Sequence, residues 1–209
     1  MGDISEAIMI HKTEIASFVT TYLAQFPDEA GTTKLFAGFL GRNGQSALFS
    51  RKNFDGHITT SAFIINDSYS EILLLKHKSL NRWLQPGGHV EGDESLLLSA
   101  LREAHEETGI PVNELHNIPA FPDAALPFDI DSHYIPANPK KMEDGHYHHD
   151  LRYLFVYRGD GNITFNADES TGLKWVKFTE LTDDDTFGAV IRKINAFLYP
   201  STPSAIKQG

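Results

Sequence analysis

The residues best suited to chemistry lie between Gly87 and Ile110, in GGHVEGDESLLLSALREAHEETGI. Glu103, Glu106 and Glu107 stand at i, i+3 and i+4. A helix turning about 100° per residue gathers those three carboxylates within an arc of about 100°. Like charges at that spacing repel, so a purely structural helix gains nothing from them. A hard divalent cation reverses the sign, because oxygen donors are what Mg²⁺ and Mn²⁺ take. Arg102 precedes Glu106 by four residues, the spacing at which a guanidinium steadies a carboxylate. The competing readings are a solvated acidic face and, for Arg102, an ordinary surface ion pair worth little.

These side chains need a helix and a turn to position them. Asp93-Glu94-Ser95 before the apolar run predicts the helix start, with acidic groups at the positive end of its dipole, and Gly109 predicts its stop. Leu97, Leu98, Leu101 and Ala104 are expected on the side away from the carboxylates, packed on a sheet. Ahead of the helix, Pro86-Gly87-Gly88 predicts a turn where the missing side chains let backbone approach metal and phosphates closely.

Read from Gly88, the stretch spells G-x5-E-x7-R-E-U-x-E-E-x-G-U, where U is a bulky aliphatic residue, with Ala104 as a small departure at the first U. The chain thereby resembles the Nudix hydrolase family (MutT-like) at every fixed position. Seven fixed letters at roughly 5–7% usage each meet by chance about once in 10⁸ to 10⁹ start points, so coincidence is no competitor. The match is specific over the box and looser, by element order, over 57–200. The resemblance implies an α/β/α sandwich, a mixed β-sheet between helices. It implies metal-dependent hydrolysis of the diphosphate bond in a nucleoside diphosphate linked to another moiety, by water attack on phosphorus. Mg²⁺ is the expected cofactor, with Mn²⁺ as a substitute, held by the Gly87 carbonyl together with Glu103, Glu106 and Glu107. Glu106 is the first choice for the catalytic base. Glu169, six residues before Trp175, is carried over from MutT-like members as a further metal-binding or base carboxylate, with an ordinary loop glutamate as the alternative. The rival from another class is a non-catalytic Nudix-fold nucleotide-binding or sensor protein, against which the intact box argues. Isopentenyl-diphosphate isomerases share the fold but need a cysteine, which is absent here.

Composition bounds the rest. The 209 residues are 41% hydrophobic and 22% charged, as in a soluble globular protein, and suffice for one core plus an extension. A formal charge of −10 argues against broad nucleic-acid binding or an anionic membrane surface. No apolar run approaches a membrane span, and charges interrupt the first residues where a signal peptide would be apolar. With no cysteines, disulfides and thiolate chemistry are excluded, and a cytoplasmic location is the default expectation.

Residues 1–55 are expected to form an N-terminal helical extension. Ile4, Ile8, Ile15, Phe18, Tyr22 and Phe26 predict an amphipathic helix over 3–26. One or two shorter helices follow over 29–50, with breaks at Gly41 and Gly44. Such faces serve either as a cap on the main domain or as a homodimer contact. The hydrolase domain is expected over 56–200, with strands at HITTSAFIIN, EILLLKH, 126–135, 147–158, GNITFN and LKWVKF. Trp83 is read as a core aromatic near the site mouth, with stacking on a base as the alternative. A helix carrying Phe187 to Phe197 and a frayed tail over 201–209 complete the chain.

The run HYHHD remains. On a strand, His146, His148 and Asp150 share one face, and Asp131 and His133 on the preceding strand can join them. Contact with phosphate or leaving group, a separate transition-metal site, and simple hydrogen bonding all fit. His148 and Asp150 are therefore candidate substrate contacts, with Gly88 and His89 beside the box. Which nucleotide derivative is cleaved stays open; selectivity is expected in the extension and in 123–150, outside the shared motif.

Overall fold

The computed structural model describes residues 10–139 and 142–200. Two helices come first, α1 (Lys12–Gln25) and α2 (Ala30–Arg42). The Ile4 and Ile8 end of the expected first helix, and the expected tail over 201–209, fall outside the described residues. Helix α2 runs through Gly41 and ends at Arg42 with Asn43 as its cap, so of the two expected breaks only Gly44 lies beyond the helix. Strands β1 (His57–Ile65), β2 (Glu71–His77), β3 (Arg82–Leu84) and β4 (Gly87–His89) lead into helix α3 (Leu96–Thr108). Then follow β5 (Leu115–Asn117), β6 (Asp129–Ile135), β7 (His146–Tyr157), β8 (Ser170–Lys177), α4 (Phe178–Leu181) and α5 (Gly188–Leu198).

The eight strands form one mixed sheet. Strand β1 runs parallel to β7 along its whole length, from His57 opposite His148 to Ile65 opposite Val156. Both sides of β1 are covered, and all nine of its residues are buried, as a central strand flanked by helical layers requires. The other edge of β1 meets β4 at Thr59–Ser61 and touches β2 only at Ile65–Ile72. Strand β6 lies antiparallel to the first half of β7, and β5 to its last three residues.

Two cores result. Ile58, Ala62 and Ile64 of β1 pack with Leu151, Tyr153 and Phe155 of β7 beneath α3, α1 and α2. Phe63, Ile65, Leu154 and Val156 face α4 and α5. Ile15, Tyr22, Phe36 and Phe39 are fully buried in the first core. These residues of the extension are thus packed within the chain, while Leu35 of α2 remains 50% exposed.

Two expectations require correction. GNITFN is not a strand. It is an extended loop that caps α3, with Thr164 N–H donating to Thr108 O and Asn166 N–H to Glu107 O, both at 3.0 Å, which satisfies carbonyls a helix end leaves open. The packed face of α3 also differs. Leu96, Ala100 and Ala104, spaced by four, are its buried stripe, while Leu97 and Leu101 flank it and Leu98 is 43% exposed. At about 100° per residue Glu103 and Glu107 fall within about 20° of that stripe, so two carboxylates share the packed side. Strand β5, too short to show a period, was not expected. Among the described residues no helix is long and apolar enough to cross a membrane.

Candidate active site

Helix α3 is set by its ends. Ser95 Oγ accepts from Leu98 N–H at 3.2 Å, and Gly109 takes the left-handed conformation at φ 66°. Its carboxylates are held against β4. Glu103 and Glu107 are 9% and 8% exposed. Gly88 makes room for the first of them, since a Cβ there would lie 2.5 Å from Glu103 Oε2. Gly87 is more constrained, because its Cβ would meet Ser61 Cβ and the Thr60 carbonyl oxygen at 2.7 Å or less. Gly87 N–H donates to Glu107 Oε2 at 3.2 Å. Glu106 is the carboxylate turned outward, its side chain 53% exposed.

Arg102 organises the group. Its Nη1 donates to Glu103 Oε1 at 2.9 Å and Glu106 Oε2 at 3.1 Å, and its Nη2 to the His89 carbonyl at 2.9 Å. The other edge of the guanidinium makes a two-pronged contact with Asp93, at 3.0 Å on each oxygen. These bonds, led by Asp93, raise the Arg102 pKa. Burial opposes ionisation of Asp93, but the hydrogen bonds and charge of Arg102 outweigh it and hold Asp93 below the usual carboxylate range. The partnership was missed because Asp93 sits in a helix-start pattern that already explained it; nine residues separate it from Arg102.

Glu169 reaches the same place. The capping loop fixes Asn166 on the end of α3, Glu169 N–H donates to Asn166 O at 3.2 Å, and Lys78 N–H donates to Glu169 O at 2.8 Å. Its carboxyl hydrogen-bonds Glu107, and burial together with that contact pushes Glu107 well above the usual carboxylate range. Glu103 is also raised, first by burial and then by Glu106 and Glu169, despite Arg102. Glu103 and Glu107 therefore press against Gly88 and Gly87, with Glu106 and Glu169 acting on them from beside and Arg102 bonded to Glu103 and Glu106. Such an all-oxygen, charge-frustrated donor set fits a hard divalent cation.

The other face of β4 carries a second cluster. His57, His89, His133, His146 and His148 meet over β1, β4, β6 and β7. His57 Nε2 and His89 Nε2 are 2.9 Å apart, His146 Nε2 and His148 Nε2 3.3 Å. Asp150 lies beneath them, 4% exposed. It accepts from Thr59 Oγ1 at 3.2 Å, Ser61 Oγ at 2.6 Å and Arg152 Nε at 3.0 Å. Its oxygens are engaged inside the sheet, which is the geometry of a support rather than of an open contact. Arg152 also bridges Asp129 and Asp131, and Lys193 of α5 links Asp129 to Glu29 at the start of α2. His149 points the other way, stacked on Phe39 at 4.4 Å between ring centres. Trp83 is half-buried against the second core, with Lys174 Nζ 4.3 Å over its ring. Surface concavities of about 220 and 440 Å³, around Trp175 and Ile118, are lined by residues of neither cluster.

A family model described as the NUDIX domain matches residues 56–196. Among curated proteins the chain is similar to a probable DHNTP pyrophosphohydrolase of Lactococcus lactis subsp. cremoris, 33% identical over 107 residues, covering 51% of this chain and 58% of that protein. It is similar to an m7GpppN-mRNA hydrolase of Bos taurus, 32% identical over 128 residues, covering 55% and 39%. The chain thus spans less than two thirds of the length of these relatives. Among solved structures, a NUDIX-family hydrolase from Clostridium perfringens is 22% identical with a TM-score of 0.51, covering 68% of this chain and 95% of its own. The E. coli dihydroneopterin triphosphate pyrophosphohydrolase is 16% identical with the same TM-score, covering 69% and 96%. At such identity the likeness shows the fold: a mixed sheet between helices.

Proposed function

The chain belongs to the Nudix family, and from that premise we propose that it is a Mg²⁺-dependent pyrophosphohydrolase, Mn²⁺ substituting, acting on a nucleoside diphosphate linked to a second moiety. The observation that carries this reading is the crowding of Glu103 and Glu107 against a side-chain-free turn beside Glu106 and Glu169, with Glu107 pushed toward its protonated form by burial and by Glu169. A cluster so costly in isolation calls for positive charge from outside the chain. The Gly87 carbonyl, Glu103, Glu107 and Glu169 hold the cation. When bound, it supplies positive charge to the diphosphate oxygens and makes a neighbouring water more acidic.

Glu106, expected as both ligand and base, is the carboxylate open to solvent, and it takes the proton from the attacking water. Arg102 orients Glu103 and Glu106, and Asp93 with the His89 carbonyl keeps the guanidinium from turning away. The complete set of carboxylates weighs against a sensor that binds without turnover. Relatives named as a probable DHNTP pyrophosphohydrolase and an m7GpppN-mRNA hydrolase support a nucleotide-like substrate.

A panel of nucleoside diphosphate derivatives, assayed with Mg²⁺ and Mn²⁺ and coupled to a phosphatase, tests the reading. Metal-dependent release from at least one compound is expected. Metal uptake without release from any compound would overturn it in favour of a binding protein.

A further inference from the structure

The histidines on the far face of β4 are left over by the hydrolytic reading, and their arrangement has a chemistry of its own. We propose that His57, His89 and His148 form a site for one zinc-type divalent transition-metal ion, distinct from the carboxylate cluster, with His146 adjacent as the next nitrogen donor. Their ligand nitrogens all lie within 4.8 Å of one another. In a tetrahedral zinc site, metal–nitrogen bonds of about 2.0–2.1 Å set ligand nitrogens about 3.3–3.4 Å apart. The His57–His89 separation of 2.9 Å lies just below that value and the His146–His148 separation of 3.3 Å at its lower edge.

Three further observations favour a metal. His146 Nδ1 donates to the Asp144 carbonyl at 2.7 Å, so its Nε2 lone pair is the one aimed at His148. The neighbouring His133 rests its Nδ1 on Asp131 Oδ2 at 2.8 Å, the carboxylate–histidine pairing that fixes a tautomer around metal sites. His57 is buried, and its Nδ1 has no hydrogen-bond partner.

With no thiolate in the chain, an all-imidazole set suits zinc, cobalt, nickel or copper rather than magnesium. The ligands come from β1, β4 and β7, so an ion there would pin β4, and with it Gly87-Gly88, to the central strands.

The test uses the full chain, free of any polyhistidine tag and stripped with chelator, titrated with Co²⁺ under excess Mg²⁺. One Co²⁺ per chain with visible ligand-field absorption is expected, displaced by Zn²⁺. His148→Gln and His89→Gln should each weaken binding by about 100-fold or more, whereas Glu106→Gln should leave it unchanged. Two variants guard against one failing to fold, which circular dichroism checks. No absorption from the folded protein, a signal that persists in a folded histidine variant, or a signal lost in Glu106→Gln would each overturn the proposal.

Discussion

Strand β4 separates two clusters built from opposite materials. On the α3 side, carboxylates crowd together, frustrated by burial and by one another, with Arg102 as their single fixed cation. On the other side, imidazoles crowd together, and the charges beneath them are already paired, Arg152 with Asp129, Asp131 and Asp150. Burial acts on both and always against charge, yet with different consequences. It leaves the carboxylates needing a hard cation and leaves the histidines with lone pairs suited to a softer one. Three residues, Gly87-Gly88-His89, serve both sides, the glycines through the volume they omit and the histidine through its ring and its carbonyl.

The contrast is sharpest for turnover. Glu106→Gln is expected to lower kcat by about 10²–10⁴-fold, the range for loss of a general base, with the far-ultraviolet circular dichroism unchanged. A rate within a few-fold of the parent would move the base elsewhere, and Glu169→Gln measured beside it would show whether it moved there.

The two glycines should break differently. At Gly88 the added Cβ meets the end of a flexible side chain, Glu103, whereas at Gly87 it meets Ser61 and backbone. Gly87→Ala is therefore expected to cost about 1–3 kcal/mol or more of stability by overpacking, read by chemical denaturation. Gly88→Ala should cost less stability but displace Glu103, weakening Mg²⁺ binding and activity. Equal stability losses with unchanged metal affinity would contradict the account of the turn.

Arg102→Lys keeps the charge but loses the fork that spans Asp93, Glu103 and Glu106. A drop of about tenfold or more in kcat with little change in KM is expected, because the residue positions others. A smaller effect is expected from acid. Asp93 has its folded pKa lowered by Arg102, so its contribution to stability is full above the unfolded carboxylate pKa and is lost as pH falls through the folded value. Asp93→Asn should flatten that acid limb of the denaturation profile and leave the neutral-pH circular dichroism unchanged.

Much of this was legible from spacing alone. A helix with Glu103, Glu106 and Glu107 near one another follows from period and caps, and the β6–β7 pairing of Asp131 with Asp150 and His133 with His148 follows the alternation read on both strands. Glu169 was legible only through family resemblance, because the loop that delivers it works by capping α3 rather than by any pattern of its own. His57 and His89 joining His148 was not legible. That meeting depends on parallel pairing between β1 and β7, 91 residues apart, which no local period encodes. The depth of Glu103 and Glu107 was missed because the packed stripe runs through Leu96, Ala100 and Ala104 rather than through Leu97, Leu98 and Leu101.

The most direct test of the carboxylate site is a Mn²⁺ titration of the full chain, followed by calorimetry and by the paramagnetic signal of free ion. The account predicts that Glu103→Gln and Glu107→Gln each lose most of the affinity while folded His148→Gln retains it. Unchanged Mn²⁺ binding in the folded glutamate variants, or loss that follows the histidine instead, would contradict it.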